Sequence, residues 1–412
     1  MEIVIIGGGA SGLMCASICS ENKNCRVTLL EKNEKLGKKL YITGKGRCNV
    51  TNLCDVQEFL RNVTTGAKFL YSTINTFPPQ KTVDFFEKHG TPLKVERGRR
   101  VFPKSDKASD ITKTFANILN KNNVKVITNC EVEAVQQENE GFTITSSKGI
   151  FHCDKIIIAT GGKSYPTTGS TGDGYVFAKR LGHNIISPRP SLVPILLKNY
   201  DGSLAGLPLK NIQASILLNS ETKDKNLKQF GELLFTHQGV SGPTVLTLSS
   251  FANKYNLVGA KLRIDLKPAL SQEELDIRLQ TDISSNPKRE FKTLLKDYLP
   301  QSLIAEFIRK TNISSEKRIC DFSKIDRTII TKTFKNFEYD ISGLDKIDFA
   351  VVTSGGIDTR EINPKTMESK LVPNLFIIGE ALDVDALTGG YNIQIALATG
   401  FAAGMSALKG RI

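Results

Sequence analysis

The sequence predicts an α/β protein with a Rossmann-like domain and an inserted β-rich domain that itself carries a small helical insertion. Three observations predict this fold. A strand enters a glycine-rich turn and a helix at the start of the chain, a continuous apolar strand occurs near residue 155, and a last strand and helix lie beyond residue 373. Alternating strands and helices are typical of parallel sheets. We therefore expect these distant segments to form one discontinuous domain.

The opening segment EIVIIGGGASGL has the spacing of a dinucleotide-binding turn. A strand over Glu2–Ile6 is followed by the G-x-G-x-x-G glycines Gly7, Gly9 and Gly12. The first glycine permits a tight turn, the second lets a pyrophosphate approach the backbone, and the third lets helix and strand pack closely. A helix from about Ala10 to Cys19 would offer its free N–H groups to phosphates.

The next strand supplies a carboxylate at the expected distance. The segment RVTLLEK begins at Arg26 and reaches Glu31, about 20 residues after the glycines. Glu31 is placed to accept hydrogen bonds from both ribose hydroxyls and would repel a 2′-phosphate. This disfavours NADP but leaves both FAD and NAD open.

Two later segments favour FAD. A hairpin pattern leads into an apolar strand over Lys155–Ala159, as expected of a buried parallel strand. Near the end, a strand over Asn374–Ile378 is followed by Gly379, a loop, and a helix from about Tyr391 to Ala407. The positive end of that helix suits the flavin edge that becomes negative on reduction. An NAD dehydrogenase has no use for this element.

Five motifs carry a family resemblance: IIGGGASGLMCA, GKKLYITGKGRCNVTN, GGKSYPTTGSTGDGY, GELLFTHQGVSGP and GEALDVDALTGGYNIQIALATG. In this order they resemble bacterial three-domain FAD flavoproteins related to aminoacetone oxidase and to the BaiN-like flavoproteins of bile-acid dehydroxylation. The resemblance spans nearly the whole chain. It implies bound FAD, a Rossmann-like cofactor domain, a β-rich domain and a helical insertion. It also implies small amines or conjugated enones as substrates, and the choice between them stays open.

The motifs and the resemblance together predict one set of cofactor-binding residues. These are Gly7, Gly9, Ala10, Ser11, Gly12, Glu31, Lys32, Lys39, Arg47, Cys48, Asn49, Val132, Thr160, Gly161, Gly379, Glu380, Gly390, Tyr391, Asn392 and Ile393. Arg47 and Asn49 are expected near flavin or pyrophosphate oxygens, because arginine offers fixed donors to phosphate. The segment VKVITNCEVEAV is expected to form one strand, with its end near Val132 beside the adenine.

His237 and Tyr391 are the predicted catalytic residues. Histidine exchanges a proton near neutral pH, although a loop histidine that only bonds to its neighbours would look the same. Tyr391 is expected beside the isoalloxazine, where it would pack or react. The substrate would lie between the cofactor domain and the β-rich domain. A redox pair of Cys48 with Cys54 is disfavoured by their six-residue separation, and no metal site is expected.

The segment ERGRRVFPKS has two interpretations. Arg99, Arg100 or Lys104 would bind an anionic substrate or the phosphates of NAD(P)H, or the segment is a solvated basic hairpin. A second G-x-G-x-x-G after a strand is absent. NAD(P)H is therefore expected only as a transient reductant; alternatively, the substrate reduces the flavin and oxygen reoxidises it.

The predicted domain boundaries follow the change in periodicity. Residues 1–190 and 348–412 would form the FAD-binding domain, 191–269 and 337–347 the β-rich domain, and 270–336 the helical insertion. The insertion opens on SQEELDIRLQTDI, which has the Ser and Glu of a capping box.

The predicted function is that of an FAD-dependent oxidoreductase, which transfers hydride between a small organic substrate and the flavin. An RNA-acting flavoprotein, prompted by the net charge of +13, and a flavin-binding regulator without turnover are the alternatives. No base-reading module is evident, so a nucleic-acid partner is not expected.

The start lacks a signal peptide, no segment is long enough to span a membrane, and the eight cysteines lack a pairing pattern. We therefore expect a cytoplasmic protein. The oligomeric state stays open.

Overall fold

The computed structural model describes residues 1–219 and 224–409. It divides into two compact units, one formed by Met1–Ser191 with Lys346–Ile412 and the other by Leu192–Asp345. The predicted division into three domains, with its boundaries, stays a prediction. Among the described residues, no helix is long and apolar enough to cross a membrane.

The first segment of the first unit alternates strands with helices. Its strands are β1 (Glu2–Ile6), β2 (Arg26–Leu30), β3 (Thr51–Asn52), β4 (Val63–Thr65), β5 (Leu93–Glu96), β6 (Arg100–Pro103), β7 (Lys125–Ile127), β8 (Val132–Gln137), β9 (Phe142–Ser146), β10 (Gly149–Cys153), β11 (Lys155–Ile158) and β12 (Ile185–Ser191). Its helices are α1 (Ala10–Cys19), α2 (Lys38–Ile42), α3 (Val56–Arg61), α4 (Ala67–Thr76), α5 (Pro79–Lys88), α6 (Ala108–Lys121) and α7 (Asp173–Arg180).

The second unit changes from strands to helices along the chain. Its strands are β13 (Ile195–Leu197), β14 (Pro208–Leu217), β15 (Lys228–Phe235), β16 (Gly239–Ser241), β17 (Lys261–Asp265) and β18 (Phe337–Leu344). Its helices are α8 (Pro243–Ala252), α9 (Gln272–Ser285), α10 (Phe291–Leu295), α11 (Gln301–Thr311) and α12 (Lys324–Lys335). The chain then returns to the first unit through β19 (Val352–Ile357), β20 (Leu375–Ile377), β21 (Asp385–Ala386) and α13 (Tyr391–Ala407).

A five-stranded parallel sheet forms the core of the first unit, in the order β20-β11-β1-β2-β7. Ile5 of β1 lies opposite Ile157 of β11 on one side and Leu29 of β2 on the other. All residues of β11 and β20 are buried, which explains why they are apolar apart from Lys155. The last strand of the sheet comes from the end of the chain. This arrangement confirms the predicted Rossmann-like α/β fold.

The last helix packs directly on the first. A Cβ added to Gly400 of α13 would lie 2.4 Å from the carbonyl oxygen of Ser11, and one added to Gly404 would lie 2.8 Å from Cβ of Ile18. From the first contact to the second, the residue number increases on both helices. Helices α1 and α13 therefore run parallel. Glycine at these two positions allows the backbones to approach closely.

One predicted strand was wrong. The segment VKVITNCEVEAV forms two strands, β7 in the parallel sheet and β8 in a three-stranded antiparallel sheet with β9 and β10. Between them, Asn129 has a φ of +50°, and the N–H groups of Asn129 and Cys130 donate to the carbonyls of Asn33 and Glu31. This turn leaves the parallel sheet after only three residues, a long-range effect that the apolar pattern does not reveal.

The second unit contains a closed six-stranded barrel in the order β13-β16-β15-β14-β17-β18. This confirms the predicted β-rich region. The helices share its apolar core: the Phe307 ring of α11 lies 4.5 Å from Phe334 of α12 and 6.2 Å from Phe337 of β18. The predicted capping box of α9 is present between Ser271 and Glu274. Helices α8 and α10 were not predicted.

We predict that Lys155 stabilises the first unit by holding the end of α13. This buried side chain of β11 donates from Nζ to the carbonyls of Ala407 (2.9 Å) and Lys409 (2.8 Å). A cation at a helix C-terminus satisfies free carbonyls and complements the dipole. Lys155→Met should lower the free energy of unfolding in urea by about 1–3 kcal/mol. Lys125→Met, on an exposed strand position, is the control and should change it by less than about 0.5 kcal/mol. Equal effects would contradict this role.

Candidate functional site

The three glycines of the opening turn face different surroundings. Gly7 has a φ of +106°, and a Cβ there would lie 2.4 Å from the Ala159 oxygen. A Cβ on Gly12 would lie 1.9 Å from the Gly7 oxygen, whereas one on Gly9 would meet no heavy atom of the described chain within 4 Å. The protein itself therefore requires Gly7 and Gly12. Gly9 borders open space, as expected where a ligand approaches the backbone.

The first turn of α1 suits an anion. The N-cap is Gly9, no side chain caps the helix, and no acidic residue lies in its first turn. The free N–H groups and the positive end of the dipole therefore have no competing side chain. The residues present thus fit the diphosphate of the predicted FAD. The predicted contacts of Ala10 and Ser11 belong to this turn and stay predictions.

The Glu31 carboxylate fixes the glycine turn through hydrogen bonds. Its side chain is buried, and Oε2 accepts a hydrogen bond from the Gly8 N–H at 2.7 Å. Oε1 accepts from the backbone N–H of Asn33 at 2.8 Å and from its Nδ2 at 2.6 Å. The carboxylate thus connects the end of β2 to the glycine turn. Val132, at the start of β8, follows the segment whose Cys130 N–H bonds to the Glu31 carbonyl. The ribose and adenine contacts stay predictions.

A second glycine-dependent region lies at the start of α13. Gly390 is its N-cap with a φ of +101°, and a Cβ there would lie 2.5 Å from the Thr51 oxygen. Gly379 has a φ of +70°, and a Cβ there would lie 2.5 Å from Oγ of Ser11. Its N–H donates to Oγ1 of Thr399 at 3.0 Å. Side chains are therefore excluded at both positions by backbone angle and by contact.

Lys39 and Glu380, two of the predicted cofactor-binding residues, form an ion pair with each other. Nζ of Lys39 lies 2.8 Å from Oε2 of Glu380 and 2.7 Å from Oγ of Ser164. Oε1 of Glu380 accepts from Ser164 Oγ at 2.8 Å and from the Thr353 N–H at 2.9 Å. The charge of Glu380 is therefore compensated within the protein, next to Gly379. Contacts of either side chain with the cofactor stay predictions.

Two further predicted cations also have carboxylate partners. Lys32 pairs with Asp173 at 2.6 Å. Arg47 pairs with Glu96 at 2.9 Å and Asp106 at 3.2 Å. Its guanidinium carbon lies 4.0 Å from the centroid of the Phe102 ring. These bonds fix the loops that carry them, and phosphate binding by either cation stays a prediction.

The segment after Arg47 is buried. Cys48 has a φ of +61°, and burial raises the pKa of its thiol to about 12. Burial also raises the pKa of Cys54 to about 11. Both thiols are free and protonated at neutral pH, which makes them poor nucleophiles. Asn49 accepts a hydrogen bond from the Val101 N–H at 3.2 Å. The cofactor contacts of Cys48 and Asn49 stay predictions.

The remaining cofactor predictions lie at the ends of strands or on α13. Thr160 and Gly161 follow β11, and Gly161 has a φ of +74°. Asn392 accepts from the Ala386 N–H at 2.9 Å and donates to its carbonyl at 2.7 Å, which fixes the start of α13 to β21. Ile393 packs against the core of the first unit. Their contacts with FAD stay predictions.

The two predicted catalytic residues belong to different units. Tyr391 is buried with its ring centroid 5.2 Å from that of Phe59, and burial raises the pKa of its phenol to about 12. Its phenol is therefore protonated at neutral pH. His237 is exposed in the three-residue connection between β15 and β16, where the Thr236 N–H donates to the Gly239 carbonyl. Both catalytic roles stay predictions.

Sequence analysis missed a buried acidic pair in the first unit. Asp385 is fully buried; its Oδ2 accepts from Thr64 Oγ1 and Ser191 Oγ, both at 2.8 Å, while Oδ1 has no hydrogen-bond partner in the described chain. Burial, and then the charge of Asp385, raise the pKa of Asp383. Two aspartates in the apolar run ALDVDAL, directly before the glycines, were the signal that could have revealed them. The raised pKa of Asp383 favours its protonated form.

We predict that alanine at Gly9 mainly weakens cofactor binding, whereas alanine at Gly12 mainly lowers the stability of the fold. Gly9 has ordinary backbone angles (φ −80°, ψ −173°), so Gly9→Ala should cost the apoprotein about 1 kcal/mol or less. The added methyl would occupy the space next to the predicted diphosphate and should weaken FAD binding more than tenfold. Gly12→Ala should instead destabilise the apoprotein by about 1–3 kcal/mol. Urea unfolding and FAD titration measure both. Full FAD affinity in Gly9→Ala would contradict the proposed diphosphate position.

Comparison with known proteins agrees with this geometry. The model of the HI0933-like protein Rossmann domain matches residues 1–406. The 3-dehydro-bile acid delta(4,6)-reductase of Clostridium scindens is 30% identical over 99% of both chains. The ribosomal RNA dihydrouridine synthases of Escherichia coli and Haemophilus influenzae are each 31% identical, over 97% and 98% of this chain and 96% and 98% of their own.

A solved structure shows the same fold. The 3-ketosteroid-delta4-(5alpha)-dehydrogenase of Rhodococcus jostii RHA1 superposes with a TM-score of 0.51 at 13% identity, covering 99% of this chain and 97% of that one. The family match and the full-length relatives confirm the predicted resemblance and the assignment as an enzyme. The chain therefore belongs to the HI0933-like Rossmann family and is an FAD-dependent oxidoreductase.

Proposed function

We propose that this enzyme uses FAD to add hydride to a carbon–carbon double bond conjugated with a carbonyl group. The observation that carries the proposal is the arrangement of two parallel helices with glycine N-caps, α1 and α13, in one unit. Each has an N-terminus without a side-chain cap or an acidic residue in its first turn. Two such sites suit a ligand that is anionic at one end and accepts negative charge at the other.

The offset of the two helices supports one extended ligand. Gly400 lies against Ser11, near the start of α1, while α13 begins nine residues earlier at Tyr391. Because Ser11 is the second residue of α1, the offset is eight residues, and at 1.5 Å per residue the N-terminus of α13 projects about 12 Å beyond that of α1. The diphosphate of FAD would bind at α1 and its ring at α13, with the ribityl chain passing Gly379 between them.

When bound, FAD supplies the hydride chemistry. The backbone N–H groups at the start of α13 would stabilise the negative charge that collects on the ring. The neutral phenol of Tyr391 is held in place by its packing against Phe59. Lys39 and Glu380 fix the Gly379 turn beside α1. Hydride addition to a conjugated double bond also requires a proton at the neighbouring carbon, and Tyr391 is the candidate donor on this unit.

The names of the relatives support an enone over an amine. A 3-dehydro-bile acid delta(4,6)-reductase saturates double bonds conjugated with a 3-keto group, and a dihydrouridine synthase saturates the uracil double bond beside a ring carbonyl. In both cases conjugation makes one carbon electrophilic toward hydride. The shared chemistry is therefore reduction of an electron-poor double bond.

We predict that reduced holoenzyme will be reoxidised by an enone. Protein reduced photochemically without oxygen is mixed with a 3-oxo-4-ene steroid or with cyclohexenone in a stopped-flow instrument, and flavin absorbance is followed. The saturated ketone is the control and should leave the flavin reduced. In the reverse experiment, aminoacetone should not bleach oxidised enzyme. Bleaching by the amine, with no response to either enone, would overturn the proposal in favour of amine oxidation.

A second candidate substrate is a uridine within RNA. The net charge of +13 and the two full-length relatives named ribosomal RNA dihydrouridine synthase support it, although the sequence lacks a base-reading module. We predict that binding to ribosomal RNA fragments, measured by filter retention, will weaken steeply between about 50 and 200 mM salt, because phosphate contacts release counterions. No retention at about 50 mM salt would exclude this candidate.

A further inference from the structure

The two densest basic segments of the sequence form one surface. The segment EKLGKKLYITGKGR ends in Arg47, and ERGRR connects β5 with β6. Arg47 pairs with Glu96 of β5 and lies over Phe102 of β6. The N–H of Val50 also donates to the Val101 carbonyl at 2.9 Å. Segments about 50 residues apart are thus joined in the first unit, and the proposed reduction of an enone gives this surface no role.

Several cations of this surface are neutralised, whereas four of them are in no ion pair among residues 1–219 and 224–409: Lys35, Lys45, Arg97 and Arg100. Lys94 pairs with Asp106 at 2.6 Å, and Arg99 pairs with Glu58 at 2.5 Å. Arg97 and Arg100 are exposed and have no carboxylate within ion-pair distance among residues 1–219 and 224–409. Nε of Arg100 donates to the Arg97 carbonyl at 3.1 Å, which fixes the Arg100 side chain against the turn. Both exposed guanidiniums can therefore donate to an anion without first giving up a carboxylate.

Asn52 connects this basic turn to the start of α13. Its Nδ2 donates to the Gly98 carbonyl at 3.0 Å and to the Gly389 carbonyl at 3.2 Å. Asn52 of β3 is also the direct partner of Arg100 in the antiparallel pairing with β6. Side chains at paired positions lie on the same face of a sheet, about 5 Å apart at Cβ. Arg100 is therefore one strand away from the residue that holds Gly389.

We propose that Arg97 and Arg100 bind a phosphate group of a molecule that reaches the N-terminus of α13. This rests on the proposed function, which places the reacting ring at that terminus. Guanidinium groups match phosphate geometry with paired donors, and these two need not break an ion pair to do so. The phosphate would come from an RNA backbone or from a nicotinamide dinucleotide reductant. The diphosphate of FAD is assigned to α1, at the other end of the site.

The chain offers a matched control on the same turn. The double variant Arg97→Gln/Arg100→Gln removes the unpaired charges, whereas Arg99→Gln removes an exposed arginine already paired with Glu58. Both variants are purified as holoprotein, with FAD content and thermal unfolding checked against the parent. Three probes are used: NADPH, the phosphate-free reductant 1-benzyl-1,4-dihydronicotinamide, and a single-stranded oligoribonucleotide of about 16 nucleotides.

If the phosphate belongs to the dinucleotide, the double variant should raise the KM for flavin reduction by NADPH about tenfold without changing its rate with the benzyl compound. If it belongs to RNA, the double variant should weaken oligonucleotide binding about tenfold at about 50 mM salt. The slope of log K against log salt should then decrease by about 1–2. Arg99→Gln should leave each of these values near that of the parent.

Three outcomes would overturn the proposal: no change in either arm, an equal loss in Arg99→Gln, or a parent protein that neither binds the oligonucleotide nor is reduced faster by NADPH than by the benzyl compound. None of these measurements requires an enone. Failure of the arginine proposal is therefore distinguishable from failure of double-bond reduction. The enone experiment reports only on reoxidation of the reduced flavin by the enone.

Discussion

Close contact between the backbones of α1 and α13 is the constraint on which the site depends. Gly400 and Gly404 let the last helix lie against the first, so the ends of a 412-residue chain meet at one layer. The contact fixes the direction and the offset of two helix N-termini at once. A larger side chain at Gly400 would move α13 away from Ser11, and with it the Gly390 N-cap. In the proposed function, the distance between the two ends of the cofactor site is thus set by helix packing.

Local pattern predicted the elements that begin and end the first unit. Strand β1, helix α1 and helix α13 lie where the glycine spacing and apolar runs indicate. The break at Asn129 was missed because it depends on carbonyls of Asn33 and Glu31, almost 100 residues earlier. Helix α8 was missed because its Thr, Ser and Val residues have low helix propensity. Barrel closure depends on pairing of β13 with β18, which no local periodicity encodes.

The site was predictable where backbone geometry matters and less so where side chains pair. The roles of Gly7, Gly9 and Gly12 follow from their spacing, and their surroundings differ in the expected way. The partners of Lys39 and Arg47 were not predictable, because Glu380 and Glu96 are brought to them only by the fold. The same holds for Asp383 and Asp385, whose burial gives them properties that composition cannot indicate. Charge-compensated pairs therefore surround the region in which backbone groups are predicted to bind the cofactor.

The insertion of the second unit between β12 and β19 has a consequence for biosynthesis. A ribosome produces β1, β2 and β11 early, but β20 and α13 emerge only after residues 192–345 have been made. At translation rates of about 5–20 residues per second, this delay is on the order of ten seconds or more. During that time the edge of β11 and the apolar face of α1 have no partner from their own chain. A nascent polypeptide of this kind has reason to engage a chaperone, and the proposed flavin site is complete only after α13 has been made.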